Sequence, residues 1–136
     1  MSLSDKELTA ILKEMPLFAG MSKKDISATV STAAQRRFPA GTQIVQDGRG
    51  GVGFYLILDG RAEVRKDDQA VAELTSGQFF GETAILVDDA RRTADVVAAD
   101  ETTCLVMTSW DFKAFIETNS DAASYIATEL AKRDAS

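Results

Sequence analysis

Apolar residues near the amino terminus recur at the spacing of an amphipathic helix. Over residues 8–15 they lie three or four positions apart, which places them on one helical face. Ser4 and Glu7 form a capping-box pattern before this stretch, and Pro16 ends it. A second pattern of the same kind begins at Ser22. The sequence therefore predicts two short helices before residue 36.

The hydrophobic period changes after Arg36 to short extended stretches separated by Gly and Asp residues, a pattern that predicts strands. The candidate strands are residues 43–46, 54–58, 61–65, 70–74, 93–98 and 103–108. Asp59-Gly60 predicts a two-residue hairpin turn with positive φ. Helical spacing returns at Phe112 and again after Ser120, so two C-terminal helices are expected. The predicted fold class is mainly β with flanking helices, as a sandwich or barrel.

The chain has 136 residues, a length typical of one domain, and no linker or repeat divides it. We therefore expect a single domain over residues 1–136. Its 15 basic and 21 acidic residues give a net charge of −6, the reverse of a nucleic-acid-binding surface. No apolar run approaches the roughly 20 residues of a membrane span, and the first residues do not resemble a secretory signal. A cytoplasmic chain without nucleic-acid or membrane partners is expected.

Side chains that commonly perform catalysis or bind metals are scarce. The sequence contains no histidine and a single cysteine, Cys104, within the apolar run 104–107. We predict that Cys104 is a buried core residue rather than a nucleophile or a metal ligand. The serine-nucleophile and phosphate-binding lysine motifs of common enzymes are also missing. We therefore expect neither an enzyme nor a metal site, and haem or iron–sulfur sensing lacks its ligands.

One segment in the middle of the chain suits a ligand that carries both a phosphate and a sugar. Gly81 permits close backbone approach, and residues 79–86 are predicted to form a short helical turn whose free N–H groups suit an anion. Arg92 and Thr93 offer a guanidinium and a hydroxyl to the same anion. Glu82 only accepts hydrogen bonds, which suits a sugar hydroxyl. Taken singly, these residues have structural alternatives, such as a surface ion pair between Glu82 and Arg92.

Phe80-Gly81-Glu82 with Ala84, followed by Arg92-Thr93-Ala94, resembles the phosphate-binding cassette of cyclic-nucleotide-binding domains. The resemblance extends in family order through residues 15–18, 38–42, 47–48 and 54–60. It implies an antiparallel eight-stranded β-roll, or jelly-roll-like barrel, with short N-terminal helices and two C-terminal helices. It further implies a regulatory domain that binds cyclic AMP or cyclic GMP between the roll and the last helix, which moves on binding. No other cofactor is expected.

The resemblance assigns roles to individual residues of this cassette. It implies that Glu82 holds the ribose 2′-hydroxyl and that Arg92 holds the exocyclic phosphate oxygens. The remaining phosphate contacts are expected from the amides near Gly81, Thr83 and Ala84 and from the Thr93 hydroxyl. Arg92 is preferred to Arg91 because Arg92 directly precedes Thr-Ala, as the arginine of the family does.

Two further sets of residues complete the expected site. The wall against the base is expected to comprise Val64, Val71, Leu74 and Phe80, and Arg133 of the last helix is expected to reach the ligand or Glu82. The chain departs from the family at Thr83, which is often apolar, and at Arg91, which is often proline. Arg91 is expected to pair with an aspartate of the acidic turn.

The sequence leaves the output of such a sensor open. It is compatible with a free-standing regulatory domain, with a fragment of a catabolite-activator-type transcription regulator, and with a ligand-free roll that binds proteins. An effector domain or partner protein of unidentified kind is expected. Thr93 is compatible with either cyclic AMP or cyclic GMP, and no oligomeric state is predicted.

Overall fold

The computed structural model describes residues 3–45, 53–81 and 95–134, which belong to two compact units. The helical unit comprises Met1–Ala33 and Trp110–Ser136, and the strand unit comprises Ala34–Ser109. In sequence order, helices precede and follow a continuous β region, as the hydrophobic pattern predicts.

The predicted helices are confirmed, and local capping sets the starts of the first two. The elements are α1 (Asp5–Lys13), a 3₁₀ turn (Pro16–Phe18), α2 (Lys23–Thr32), α3 (Ser109–Thr118) and α4 (Ser120–Asp134). The Ser4 Oγ accepts a hydrogen bond from the Glu7 amide at 3.1 Å, and the Ser22 Oγ accepts one from the Asp25 amide at 3.1 Å. The Glu7 carboxylate accepts from the Ser4 amide in return, which lowers the pKa of Glu7.

Aromatic side chains fill the interior of the helical unit. The rings of Phe18 and Phe115 lie 5.8 Å apart between centroids, and Phe112 is fully buried beside them. Leu8 and Leu12 of α1 are buried, but Ile11 is 37% exposed, so the apolar face of α1 is narrower than its spacing indicates. None of the described helices is long and apolar enough to cross a membrane.

The strand unit consists of two antiparallel four-stranded sheets, which confirms the predicted fold class. Its described strands are β1 (Ala34–Phe38), β2 (Gln43–Val45), β3 (Gly53–Asp59), β4 (Arg61–Lys66), β5 (Gln69–Thr75), β6 (Phe79–Phe80), β7 (Asp95–Ala98) and β8 (Thr102–Thr108). One sheet has the order β1-β8-β3-β6 and the other the order β2-β7-β4-β5. The hydrophobic pattern predicts six of these strands and misses β1 and β6, whereas the family resemblance implies eight. Gln46, Thr93 and Ala94 of the predicted strands lie outside the described residues.

The predicted hairpin at Asp59-Gly60 is wrong, and of its two residues only Gly60 has the predicted positive φ. β3 and β4 belong to different sheets, so Gly60 turns the chain from one sheet into the other. Gly60 has φ +104°, and a Cβ there would lie 2.7 Å from the Cα of Thr102. The buried Thr102 closes this corner, because its Oγ1 accepts a hydrogen bond from the Arg61 amide at 3.2 Å. Long-range pairing of β3 with β8 overrides the local turn signal.

The hairpin of this region joins β4 and β5 instead. Its two turn residues, Asp67 and Asp68, have φ of 52° and 64°, as a type I′ turn requires. The pairing of Val64 with Ala72 is followed by that of Arg65 with Ala70, which leaves Val71 as the extra residue of a β-bulge. Residues 69–73 are exposed, as befits a strand at the edge of its sheet.

The two sheets enclose a compact apolar core. Its buried members are Ile57, Ala62, Leu74, Phe80, Val96 and Cys104. Cys104 is completely buried, which confirms its prediction as a core residue. Burial raises the pKa of the Cys104 thiol to about 12, because the thiolate would lose its hydration.

Candidate functional site

Gly81 follows β6 in a conformation that few other residues can adopt. Its φ is +96°, and a Cβ at this position would collide with the Gly53 carbonyl oxygen and lie 3.3 Å from the Tyr55 Cδ1. The glycine is therefore required both by its backbone angle and by the close approach of β3. The sequence predicted close backbone approach at Gly81, and the neighbour in the described structure is the protein's own β3.

The strand before Gly81 is held firmly in its sheet. Phe80 pairs with Tyr55, and their rings stack 4.9 Å apart with an interplanar angle of 3°. Phe79 contacts Phe54 at 5.5 Å between ring centroids. The predicted helical turn over residues 79–86 is therefore wrong for its first two residues, because β-pairing to β3 takes them into the sheet. Residues 82–86 lie outside the described part.

The chain re-enters the described structure at β7 in the other sheet. Asp95 lies opposite Arg65 and Val96 lies opposite Val64 on β4. The described flanks of the cassette are thus Gly81, beside β3, and Asp95, beside β4. The other residues predicted to bind phosphate and ribose, namely Glu82, Thr83, Ala84, Arg92 and Thr93, lie outside the described residues, as does Arg91, and their roles stay predictions.

The four residues predicted to contact the base have different environments. Leu74 and Phe80 are 7% and 5% exposed and belong to the buried core, against which the half-buried Val64 packs. Val71 is 54% exposed on the bulge of β5 and is not part of this cluster. Most of the surface of Leu74 and Phe80 is already covered, so Val64 and Val71 have more surface to offer a ligand. The side chain of Arg133 in α4 lies outside the described residues.

Ala72 adds a feature that the sequence pattern did not suggest. It lies opposite Val64, two residues from the buried Leu74 and thus on the same face of β5, yet it is exposed. On the core-facing side of this sheet, the pair Ala62 and Leu74 is buried. The next pair, Val64 and Ala72, is partly accessible. We call the accessible apolar surface of Val64, Ala72 and Val71 the apolar step. It suits a flat apolar ligand group. The signal in the sequence that could have indicated it is the short apolar run Ala70-Val71-Ala72 before Glu73.

Charged residues on the strand unit form a network at the opposite end of β4. Arg61 Nε lies 3.1 Å from Asp100 Oδ2, and its Nη1 lies 3.0 Å from Glu73 Oε2. Both hydrogen bonds and the two negative charges raise the pKa of Arg61. These side chains are exposed, so the network orients β4, β5 and the turn before β8 rather than creating a reactive group. Arg65 lies opposite Asp95 of β7, and its buried Nε has no hydrogen-bond partner within the described structure.

No metal centre is formed by the residues that the structure describes, since no three of their Asp, Glu or Cys side chains converge. The Cys104 thiol is buried and its pKa is raised, which disfavours the thiolate that a nucleophile or a metal ligand requires.

Comparison with known proteins relates this arrangement to one family. The family model for the cyclic nucleotide-binding domain matches residues 35–119. The chain is 29% identical over 127 residues to the cyclic AMP receptor protein of Thermus thermophilus, covering 90% of this chain and 58% of that protein. It is 37% identical over 91 residues to the cAMP-dependent protein kinase regulatory subunit of Aspergillus fumigatus, covering 65% of this chain and 22% of that protein.

A solved structure has the same fold. The crystal structure of the Thermus thermophilus catabolite activator protein superimposes with a TM-score of 0.76 and 30% sequence identity. The alignment covers 87% of this chain and 57% of that one. The chain thus spans less than two thirds of the length of each of these relatives.

Proposed function

Because the chain belongs to the cyclic nucleotide-binding domain family, we propose that it is a non-catalytic sensor of a cyclic purine nucleotide, cyclic AMP or cyclic GMP. The observation that carries this proposal is the family match over residues 35–119, which includes the whole Phe80–Ala84 and Arg92–Ala94 cassette. The described fold supports it, because the chain enters the cassette from β6, which pairs with β3, and leaves it into β7, which pairs with β4.

The cassette supplies the chemistry for a cyclic phosphodiester attached to a ribose. In this proposal Arg92 binds the exocyclic phosphate oxygens, and the Thr93 hydroxyl and the amides near Gly81, Thr83 and Ala84 bind the rest. Glu82 accepts a hydrogen bond from the ribose 2′-hydroxyl. The approach of β3 to Gly81, which leaves no room for a side chain, fixes this end of the cassette against the sheet.

The base is proposed to lie on the open apolar step of the roll. Val64 and Val71 provide accessible apolar surface, and the buried Leu74 and Phe80 support it from the core. These contacts are non-directional, so we expect weak discrimination between adenine and guanine. Arg133 is proposed as an additional contact to the ligand or to Glu82.

Ligand binding is proposed to be read out by α4. Within the helical unit α4 packs on the 3₁₀ turn Pro16–Phe18, and its Ala122 and Ile126 are buried. Moving α4 away from this turn would expose Ile126, at a cost of about 1.5–3 kcal/mol for a large aliphatic side chain. We therefore propose that α4 and the 3₁₀ turn respond together.

Hydrogen exchange with and without nucleotide tests this coupling. We expect slower exchange in residues 16–18 and 120–134 when cyclic nucleotide is bound. Protection that changes in the strand unit alone would instead identify α4 as a permanently docked helix.

The signal is proposed to pass to an effector domain or partner protein in the cytoplasm. The part of the Thermus thermophilus relative that this chain does not cover favours a second candidate, the sensor segment of a longer catabolite-activator-type regulator. Immunoblotting of the source cells distinguishes the two. A band near 14.6 kDa supports the free-standing sensor, and a substantially heavier band supports the longer regulator.

Thermal unfolding of the purified chain with added nucleotides tests the proposed ligand class. A ligand that binds only the folded chain stabilises it by about 2.7 kcal/mol at 100 times its Kd. We expect cyclic AMP or cyclic GMP to raise Tm, and the open 5′-monophosphates to raise it less at the same concentration. Equal shifts with the cyclic and open forms would contradict recognition of a cyclic phosphodiester.

A further inference from the structure

A groove lies between α2 and α3 within the helical unit and is separate from the proposed nucleotide site. Each helix contributes a stripe with the spacing i, i+3, i+4 and i+7, which begins at Asp25 in α2 and at Asp111 in α3. Ala28 and Ala114 keep the groove open because their side chains are small. The groove has a volume of about 200 Å³ and adjoins a second cleft of about 150 Å³, which shares Asp25 with it. We call the two together the α2–α3 groove.

The ionisable side chains that line the α2–α3 groove are all acidic, and one ammonium, that of Lys13, lies at its edge, where it donates a hydrogen bond to the carbonyl of the lining residue Met21. Asp25 lies where the two clefts meet, Asp111 lines the first, and Asp121 lines the second. No lysine or arginine among the described residues lines either cleft. An incoming cation would therefore be attracted, and an anion would be repelled.

The hydrogen bonds within the groove also favour a ligand that donates hydrogen bonds. The hydroxyls of Thr29 and Thr118 donate to carbonyls of their own helices, at 3.0 Å to Asp25 and 2.9 Å to Ala114. Asn119 Nδ2 donates hydrogen bonds to the Phe115 carbonyl at 2.9 Å and to Thr118 Oγ1 at 3.1 Å. The donors of these side chains are thus consumed, whereas their oxygens retain acceptor capacity.

Trp110 stands beside the groove with an exposed ring. It is 84% exposed, although a tryptophan is usually largely buried. Trp110 precedes the groove residue Asp111 and lies one helical turn before Ala114, so it occupies the adjoining flank of α3. Tryptophan is the best aromatic partner of a cation and is enriched where proteins bind one another.

We propose that the α2–α3 groove binds an arginine side chain presented by a protein partner. A guanidinium offers five N–H donors in a planar fork, which matches a groove of carboxylates and acceptor oxygens, and its flat face stacks on an indole. An anionic membrane is disfavoured as the occupant, because the aspartates beside Trp110 repel its headgroups. This proposal concerns the output of the domain and does not depend on nucleotide binding.

An NMR titration of the isotope-labelled chain tests the proposal with two matched probes. The first is the blocked pentapeptide Ala-Ala-Arg-Ala-Ala, and the second carries citrulline, which has nearly the shape of arginine but no charge. We expect the arginine peptide to shift the indole signal of Trp110, the only tryptophan, and amide signals of residues 25–32 and 111–119. The citrulline peptide is expected to bind about 1.4- to 5-fold more weakly, because a partly exposed charge pair contributes roughly 0.2–1 kcal/mol.

Two variants separate the groove from general electrostatics. Asp25→Asn should weaken binding of the arginine peptide about 1.4- to 5-fold, whereas Asp5→Asn, which removes the same charge from the first turn of α1, should leave its affinity unchanged. Both substitutions lie in the first turn of a helix and are therefore comparable. The NMR spectrum of each variant without peptide, compared with that of the unaltered chain, checks that the fold is kept. Equal binding of the two peptides, equal effects of the two variants, or a Trp110 response to anionic vesicles but not to the peptide would each overturn the proposal.

Discussion

Replacing Gly81 by alanine isolates the close approach of the cassette backbone to β3. Gly81 and Gly77 both have positive φ, +96° and +89°, but a Cβ at Gly81 collides with the Gly53 carbonyl oxygen, whereas nothing lies within 4 Å of one at Gly77. Gly77→Ala therefore measures the cost of the backbone angle alone. The difference between the two variants measures the collision.

The structure gives different magnitudes for the two substitutions. A left-handed backbone angle costs an alanine about 1–2 kcal/mol, so Gly77→Ala should lose this amount of unfolding free energy. Gly81→Ala adds an overpacking cost of about 1–3 kcal/mol, because the Gly53 oxygen belongs to the backbone of a paired strand and cannot rotate away. For 136 residues, 1 kcal/mol corresponds to roughly 3.5 °C in Tm. The expected losses are about 3–7 °C for Gly77→Ala and about 7–17 °C for Gly81→Ala.

Urea unfolding followed by far-ultraviolet circular dichroism measures both variants under the same conditions. Titration of each folded variant with cyclic nucleotide then asks whether the displaced backbone also weakens binding, as we expect for Gly81→Ala and not for Gly77→Ala. Equal losses of unfolding free energy in the two variants would refute the reasoning, because the Gly53 contact would then carry no cost.

Three further predictions concern single side chains. Arg92→Ala should weaken nucleotide binding about 10- to 150-fold, the value of a charge-assisted hydrogen bond, whereas Arg91→Ala should change it little; equal losses by calorimetry would reverse the assignment. Glu82→Ala should reduce discrimination against 2′-deoxy analogues, and unchanged discrimination would contradict its role. Burial raises the pKa of Cys104 to about 12, so only the unfolded chain ionises this thiol from about pH 9. Unfolding free energy should fall by up to about 4 kcal/mol between pH 9 and 12, and Cys104→Ala should lose this component of the decline; parallel pH profiles would contradict it.

Local signals predicted the helices well and the sheet connections less well. The helix starts predicted at Ser4 and Ser22 are reliable, because a cap involves residues three positions apart and its signal therefore lies within one turn. Gly60 shows the opposite case: its positive φ is a local property, but its role as a corner depends on pairing between β3 and β8, about 45 residues apart. β6 was missed because a two-residue strand has no period of its own.

For the candidate site, too, the sequence predicted local features better than features that depend on strand pairing. The residues implied by the family motif, Glu82 and Arg92 among them, were found by their order in the sequence, and their roles stay predictions. What the sequence pattern did not reveal was the accessibility of each wall residue: the bulge at Val71 and the burial of Phe80 both arise from strand register. The α2–α3 groove was also missed, because Asp25 and Asp111 are 86 positions apart and look like ordinary first-turn acids.

We propose that this chain binds a cyclic purine nucleotide through a cassette that recognises the cyclic phosphate and the ribose. Isothermal titration calorimetry of the purified chain with cyclic AMP and cyclic GMP, alongside the open 5′-monophosphates, tests it most directly. We expect saturable binding of one nucleotide per chain, preference for the cyclic forms, and less than about 100-fold, or roughly 2.7 kcal/mol, between the two bases. No heat of binding and no thermal stabilisation with either cyclic nucleotide at millimolar concentration would contradict the claim.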